Sequence, residues 1–213
     1  MSAPVTCWNC SRPSEGKLFC PSCQSLQPPP TDYYALLGLE RTLNLSVEDL
    51  QRRFYDLSRQ LHPDRFTRKL ERERHYSLDA SSVLNDAYRV LRDPVKRAQY
   101  VLSQEGFDVG EQQSKDVPQE LLEEVFELNM ALEEMRGGDE SARPQLEQAE
   151  KNFTNMLSEV DQKLESLFTE YDQSRSHDKL VEVRGILNRR KYILNLLNEV
   201  HKELTPSGLR QSE

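Results

Sequence analysis

No stretch of this sequence approaches the roughly 20 consecutive apolar residues that cross a bilayer as a helix, so a membrane-spanning role is not expected. The opening MSAPVTCWNC has no basic segment followed by an apolar one, which excludes the secretory signal pattern, and no Arg-rich amphipathic face of the transit-peptide kind. A soluble chain is expected. With Met1 in first place a bacterial cytoplasm is the expected compartment, or a mitochondrial matrix if the chain is a trimmed mature form. Aromatic residues are few, at 8%, and hydrophobic content is 36% against 30% charged, which suits small helical units better than one thick core. Strand-type alternation is missing outside the first residues, as is any long internal repeat. An excess of positive charge is missing too. Residues 31–105 carry 13 basic and 12 acidic side chains, and residues 106–213 carry 13 basic and 23 acidic, so the negative excess behind the chain's net −8 lies in the second half. Nucleic-acid binding by the acidic half is disfavoured. His75, His177 and His201 have no ligand or nucleophile companions nearby in sequence, and no enzyme chemistry is expected.

What is present falls into segments divided by two seams. Pro28, Pro29 and Pro30 favour a stiff extended spacer between an N-terminal element (1–27) and a helical segment (31–104). The polar stretch GFDVGEQQSKDVPQE marks a second linker (105–118). Pro118 is placed there to open the first helix of a C-terminal domain (119–205), and residues 206–213 form a short tail.

All four cysteines lie in the first 23 residues, as Cys7-x-x-Cys10 and Cys20-x-x-Cys23 with nine residues between the pairs. Each turn can aim two sulfurs at one ion, and two turns complete a tetrahedral thiolate site. Zn2+ suits such ligands, and as a structural ion it would supply most of the stability of a segment too short to bury a core. A redox pair is the alternative, but no thioredoxin-like strand–helix context surrounds either motif. Knuckles of this kind often have glycine after the second cysteine, where Ser11 and Gln24 stand here; Trp8 and Phe19 are expected to cover the metal.

NLSVEDLQRRFYDLSRQLHP predicts a helix with a marked start and stop. Ser46 is an N-cap with Asp49 three residues on, and Val47, Leu50, Phe54, Leu57 and Leu61 form one apolar face. Arg52 and Arg59 project from the opposite side, with Tyr55 near them and Arg53 on the flank. Pro63 disfavours further helix and fixes the exit of the chain, presenting His62 and Asp64 at the tip of a hairpin. In the last third, helices are predicted at about 119–136, 140–171 and 177–204. Leu121, Val125, Leu128, Leu132 and Met135 make a core line, while Leu122, Phe126 and Met130 make a second line turned roughly 140° away, a candidate exposed patch. In the final helix Leu180, Val183, Leu187, Leu194 and Leu197 read as core, with Tyr192 opposite them beside Lys191.

DYYALLGLE at 32–40, the basic helix, HPDRF and SLDASSVLNDAYRVLRDPVKRAQYVL at 77–102 resemble, in order, the elements of a J-domain. The chain departs from general J-proteins after Tyr100: no Gly/Phe-rich stretch and no repeated zinc-binding motif follow. Its tail and its CWNC and CPSC motifs are similar to the type III J-proteins of the HscB family, in the form with an N-terminal four-cysteine element. That resemblance implies an all-α protein, a J-domain hairpin joined to a three-helix domain and a small zinc knuckle. It implies a co-chaperone that stimulates the ATPase of a DnaK-type, HscA-like chaperone through His62, Pro63 and Asp64, with Arg52, Arg53, Arg59 and Arg65 facing the partner's acidic surface. It also implies that Leu122, Phe126, Glu127, Met130, Lys191 and Tyr192 hold the iron–sulfur scaffold IscU. A monomer or weak dimer is expected, without nucleic acid or membrane among its partners. A general J-protein with another client and a zinc-binding nucleic-acid adaptor are the rival readings.

Overall fold

The computed structural model describes residues 6–107 and 121–205. The expectations placed on most of the second linker, on the helix opening at Pro118 and on the tail 206–213 lie outside those residues. The architecture is all-α: seven α-helices among the described residues and no strand, only two isolated bridges in the cysteine-rich start. The chain divides into two compact units, Met1–Gln104 and Glu105–Glu213.

In the first unit a one-turn helix, α1 (Tyr33–Leu37), is capped by the Asp32 carboxylate, which accepts from the Tyr34 and Ala35 N–H groups. Gly38 closes it in the left-handed region at φ 63°, where an added Cβ would come 3.3 Å from the Arg53 guanidinium, so both conformation and space call for glycine. α2 (Val47–Leu61) starts where the sequence predicts, with the Ser46 hydroxyl accepting from the Asp49 N–H. Leu50 and Leu61 are fully buried, and Phe54 stacks on Tyr88 of α3 (Glu71–Leu91) at 4.3 Å. Val47, the first residue of the helix, departs from the expected apolar face: it is 44% exposed.

Pro63 turns the chain into a 3-10 turn (Pro63–Phe66), and the break strands the Leu61 carbonyl inside the protein. The Ser77 hydroxyl of α3 donates to that carbonyl at 2.6 Å and Ser81 at 3.3 Å. A helix stop inside a packed hairpin is thus satisfied from the facing helix. α4 (Pro94–Gln104) opens on Asp93, whose carboxylate accepts from the Val95 and Lys96 N–H groups. From it the buried Arg97 donates to the Leu43 and Leu91 carbonyls, tying the α1–α2 loop to the end of α3. Tyr100 stacks on Tyr33 at 4.5 Å and accepts from its N–H.

The second unit is a bundle of α5 (Leu122–Arg136), α6 (Arg143–Ser174) and α7 (His177–Leu204). Leu121, Leu128, Leu132, Leu146, Phe153, Val160, Ile193, Leu197 and Val200 form its continuous core. On α7 the apolar line differs from the predicted one. Leu180, Val183 and Leu187 are buried as expected, but the line continues through Ile193, Leu197 and Val200, with Leu194 only half-buried. Between Leu187 and Ile193 the helix turn is filled by Arg190, whose Nε donates to Asp161 of α6 at 2.6 Å. The shift also corrects Tyr192: it is half-buried and packs against core side chains, not opposite them.

Candidate functional site

Three places in the molecule carry chemistry, and the first is the cysteine element. Its two turns are one motif used twice at an offset of 13 residues. Cys7 N–H donates to Arg12 O and Cys20 N–H to Ser25 O; Ser11 N–H donates to Cys7 O and Gln24 N–H to Cys20 O. The flanking bridges, Thr6 with Pro13 and Phe19 with Leu26, repeat the same offset. Ser11 and Gln24, standing where such knuckles favour glycine, adopt φ of 60° and 59°. The left-handed conformation of the turn is therefore kept although the side chain disfavours it.

The four sulfurs converge within 4.8 Å of one another, with Cys7–Cys23 at 3.6 Å and Cys10–Cys20 at 3.7 Å. A disulfide would need about 2.05 Å, whereas sulfurs about 2.3 Å from a tetrahedral ion stand roughly 3.8 Å apart. The cluster fits a metal ion and not two bridges. Around it, Asn9 N–H and the Gln27 amide donate to Cys7 Sγ at 3.4 and 3.3 Å, the kind of N–H···S support that favours thiolate. The Ser25 hydroxyl and backbone N–H bring Cys23 down to about 6. Cys10 moves oppositely: the Arg12 N–H favours its thiolate, but burial and the three neighbouring sulfurs push it up to about 11.

Trp8, expected to cover the metal, is engaged with the rest of the unit. The Trp8 indole N–H donates to Leu26 O at 2.7 Å, its ring meets Tyr76 of α3 edge-on at 6.3 Å, and Arg72 lies over its face at 5.2 Å. Glu73, a buried acid in the first turn of α3, accepts from the Leu26 N–H at 3.2 Å. The element is thereby fastened to α3, and nothing in its own spacing announces that. A buried glutamate reads in sequence as an ordinary acid at a helix start.

The second place is the hairpin tip. His62 and Asp64 are exposed, with side chains 58% and 86% accessible, and the imidazole Nδ1 accepts from the Asp64 N–H at 3.3 Å. Histidine therefore caps the 3-10 turn that proline starts, and the tripeptide is one local unit. Arg59 and Arg65 are exposed beside it. The other two arginines are engaged. Arg52 pairs with Asp49, and Arg53 pairs with Asp49 at 2.9 Å while donating to Leu37 O and Gly38 O at 3.2 and 2.8 Å. Chiefly through Arg53, the Asp49 carboxyl is held below its ordinary range. Arg53 is a brace between α1 and α2, a role that helical spacing does not reveal.

The third place is on α5, where Leu122, Phe126 and Met130 are 52%, 65% and 50% exposed along one line, as the two-line pattern predicts. Glu127 is exposed on the same helix. With Met130 it borders a groove of about 540 Å³ between α5 and α6, rimmed by Glu124 and Glu134 and floored by Leu128, Ala131 and Phe153. Lys191 is exposed on α7. Neither it nor Tyr192 lines that groove, and burial raises the Tyr192 hydroxyl above its ordinary value.

The chain is similar to known proteins. A model of the DnaJ domain matches residues 32–100, and one described as the HSCB C-terminal oligomerisation domain matches residues 117–201. The iron–sulfur cluster co-chaperone protein HscB of Mus musculus is 30% identical over 206 residues, 94% of this chain and 83% of that protein. The co-chaperone protein HscB homolog of Vibrio atlanticus is 34% identical over 173 residues, 79% of this chain and 94% of the relative. Among solved structures, human co-chaperone protein HscB superposes with a TM-score of 0.71 at 28% identity, covering 93% of this chain and 98% of the human one.

Proposed function

Because this chain belongs to the HscB family of iron–sulfur cluster co-chaperones, we propose that it stimulates ATP hydrolysis by a DnaK-type, HscA-like chaperone and delivers to it an iron–sulfur scaffold of the IscU type. The observation that carries this reading is the pairing of two unlike surfaces in one chain. One is an exposed His62-Pro63-Asp64 tip flanked by Arg59 and Arg65; the other is an exposed apolar line, Leu122, Phe126 and Met130. The tip offers charge and hydrogen-bonding groups in a fixed turn, the chemistry of orientation and fast encounter. The line offers an aromatic anchor with acidic neighbours, the chemistry of a held client. Arg59 and Arg65 steer the chaperone, while Arg53 acts by positioning α2.

In this reading the four cysteines hold Zn2+, which fills four soft ligands without redox chemistry and leaves no open coordination position. The ion stabilises; it takes no part in ATP hydrolysis. Either compartment expected from the sequence, bacterial cytoplasm or mitochondrial matrix, keeps these thiols reduced.

The test is ATPase stimulation of an HscA-type chaperone with and without scaffold. Wild type should raise the rate, scaffold should raise it further, and His62→Gln should remove the effect of both. No stimulation by wild type in either condition ends the reading.

A further inference from the structure

The second cysteine turn builds more than a metal site. Phe19 and Gln24 flank Cys20 and Cys23 in sequence, and both line a cleft of about 350 Å³ beside the hairpin tip. The other walls are Gln60 at the end of α2, Arg65 and Phe66 of the 3-10 turn, Lys69 ahead of α3, and Glu73. Two unrelated elements thus share one concave surface immediately after His62-Pro63-Asp64.

Its exposed charge is positive: of the lining residues Arg65 and Lys69 are exposed cations, and the one acid, Glu73, is buried. The acid inside the cleft, Glu73, is buried and accepts from the Leu26 N–H. Arg65 and Lys69 are exposed, and neither forms an ion pair among the described residues. Phe19 supplies a half-buried aromatic wall, and Gln24 and Gln60 supply exposed amides. Cations, an aromatic and paired amides around a shallow cleft match an extended peptide with carboxylates and one apolar side chain.

We propose that this composite cleft is a second docking point for the chaperone, taking an acidic, extended segment of it, and that the metal-bound knuckle forms one of its walls. The inference rests on the co-chaperone reading above. A polyanion such as RNA fits less well: the cleft lining offers only two cations, Arg65 and Lys69, beside one carboxylate, Glu73, too little positive charge to track a phosphate backbone. The cysteines then have a role in recognition: the turn that holds Phe19 and Gln24 in place is the turn closed by Cys20 and Cys23.

The experiment uses the full metal-loaded chain titrated calorimetrically with an HscA-type chaperone, comparing wild type, His62→Gln, Phe19→Ala, Gln24→Glu and Lys69→Glu. Lys69→Glu should weaken binding roughly tenfold and flatten its salt dependence; Phe19→Ala and Gln24→Glu should each weaken it several-fold. Metal content, checked by thiol titration, should stay at the wild-type level in Gln24→Glu and Lys69→Glu, which separates a lost contact from a lost fold. Amide exchange in the complex should show new protection over residues 18–24 as well as 59–69. Wild-type affinity in all three cleft variants, with binding lost in His62→Gln, overturns the cleft and leaves the co-chaperone reading intact. Failure of wild type itself to bind overturns both. Retention on an oligonucleotide that Lys69→Glu abolishes would reassign the cleft to a polyanion.

Discussion

The two units of this chain both bury an apolar core, but their polar ties differ. In the first, side chains tie down backbone carbonyls and a helix start: Arg97 on two carbonyls, Arg53 on two more, Ser77 and Ser81 on Leu61, Asp32 under α1. In the second, polar contacts link side chain to side chain between helices, as in Arg190 with Asp161 within the apolar seam and Arg136 with Glu203 and His201 with Glu150 beside it. Directional bonds fix a turn to one geometry, whereas apolar packing tolerates exposure of a neighbouring line on the same helix.

Metal removal tests the comparison most strongly. Structural Zn2+ sites of this ligand type contribute roughly 10–16 kcal/mol, so chelation should unfold residues 6–27 while leaving the thermal transition of the second unit in place. Domain-resolved amide exchange reads both outcomes at once. Next come two phenylalanines of the second unit. Phe153→Ala, at a fully buried position, should cost about 3–5 kcal/mol of that unit's stability. Phe126→Ala, 65% exposed, should leave the stability near wild type and weaken scaffold binding by about 1–3 kcal/mol. Denaturant midpoints and a calorimetric titration separate them; equal stability losses would erase the distinction between core line and exposed line.

In the first unit, Ser77→Ala should cost about 1–2 kcal/mol, since it leaves the Leu61 carbonyl with only the longer Ser81 bond. Smallest is Asp32→Ala, about 1 kcal/mol at neutral pH from the lost cap. Burial opposes ionisation of Asp32, but Arg41 and the Tyr34 and Ala35 N–H groups outweigh it and keep its pKa below the ordinary 3.8. A lowered folded pKa stabilises above the unfolded value and is lost as pH falls through it. The gap between wild type and Asp32→Ala should therefore close as pH drops below about 3.8. A gap that persists in acid would assign the effect to packing.

Local signals were legible in the sequence because they act over a few residues. Ser46 with Asp49, Pro63 as a stop, two C-x-x-C turns and the two lines of α5 all stand where spacing puts them. What spacing could not give depends on the facing element. Arg190 occupies a seam position of α7 only because Asp161 lies across from it, and counting apolar residues past it shifts the line and misplaces Tyr192. Arg53 looks like a surface cation until the Leu37 and Gly38 carbonyls are seen. Trp8 looks like a metal lid until α3 appears beside it.

The 13-residue repeat of the cysteine turn has a kinetic consequence. Two similar bidentate arms on one short tether would hold an ion by avidity: once one arm is engaged, the other meets it at high effective concentration. Exchange of the ion then requires one arm to open, not four bonds to break together, and a chelator enters through that half-open species. Affinity belongs to the pair, while the residence time of the metal is set by the weaker arm.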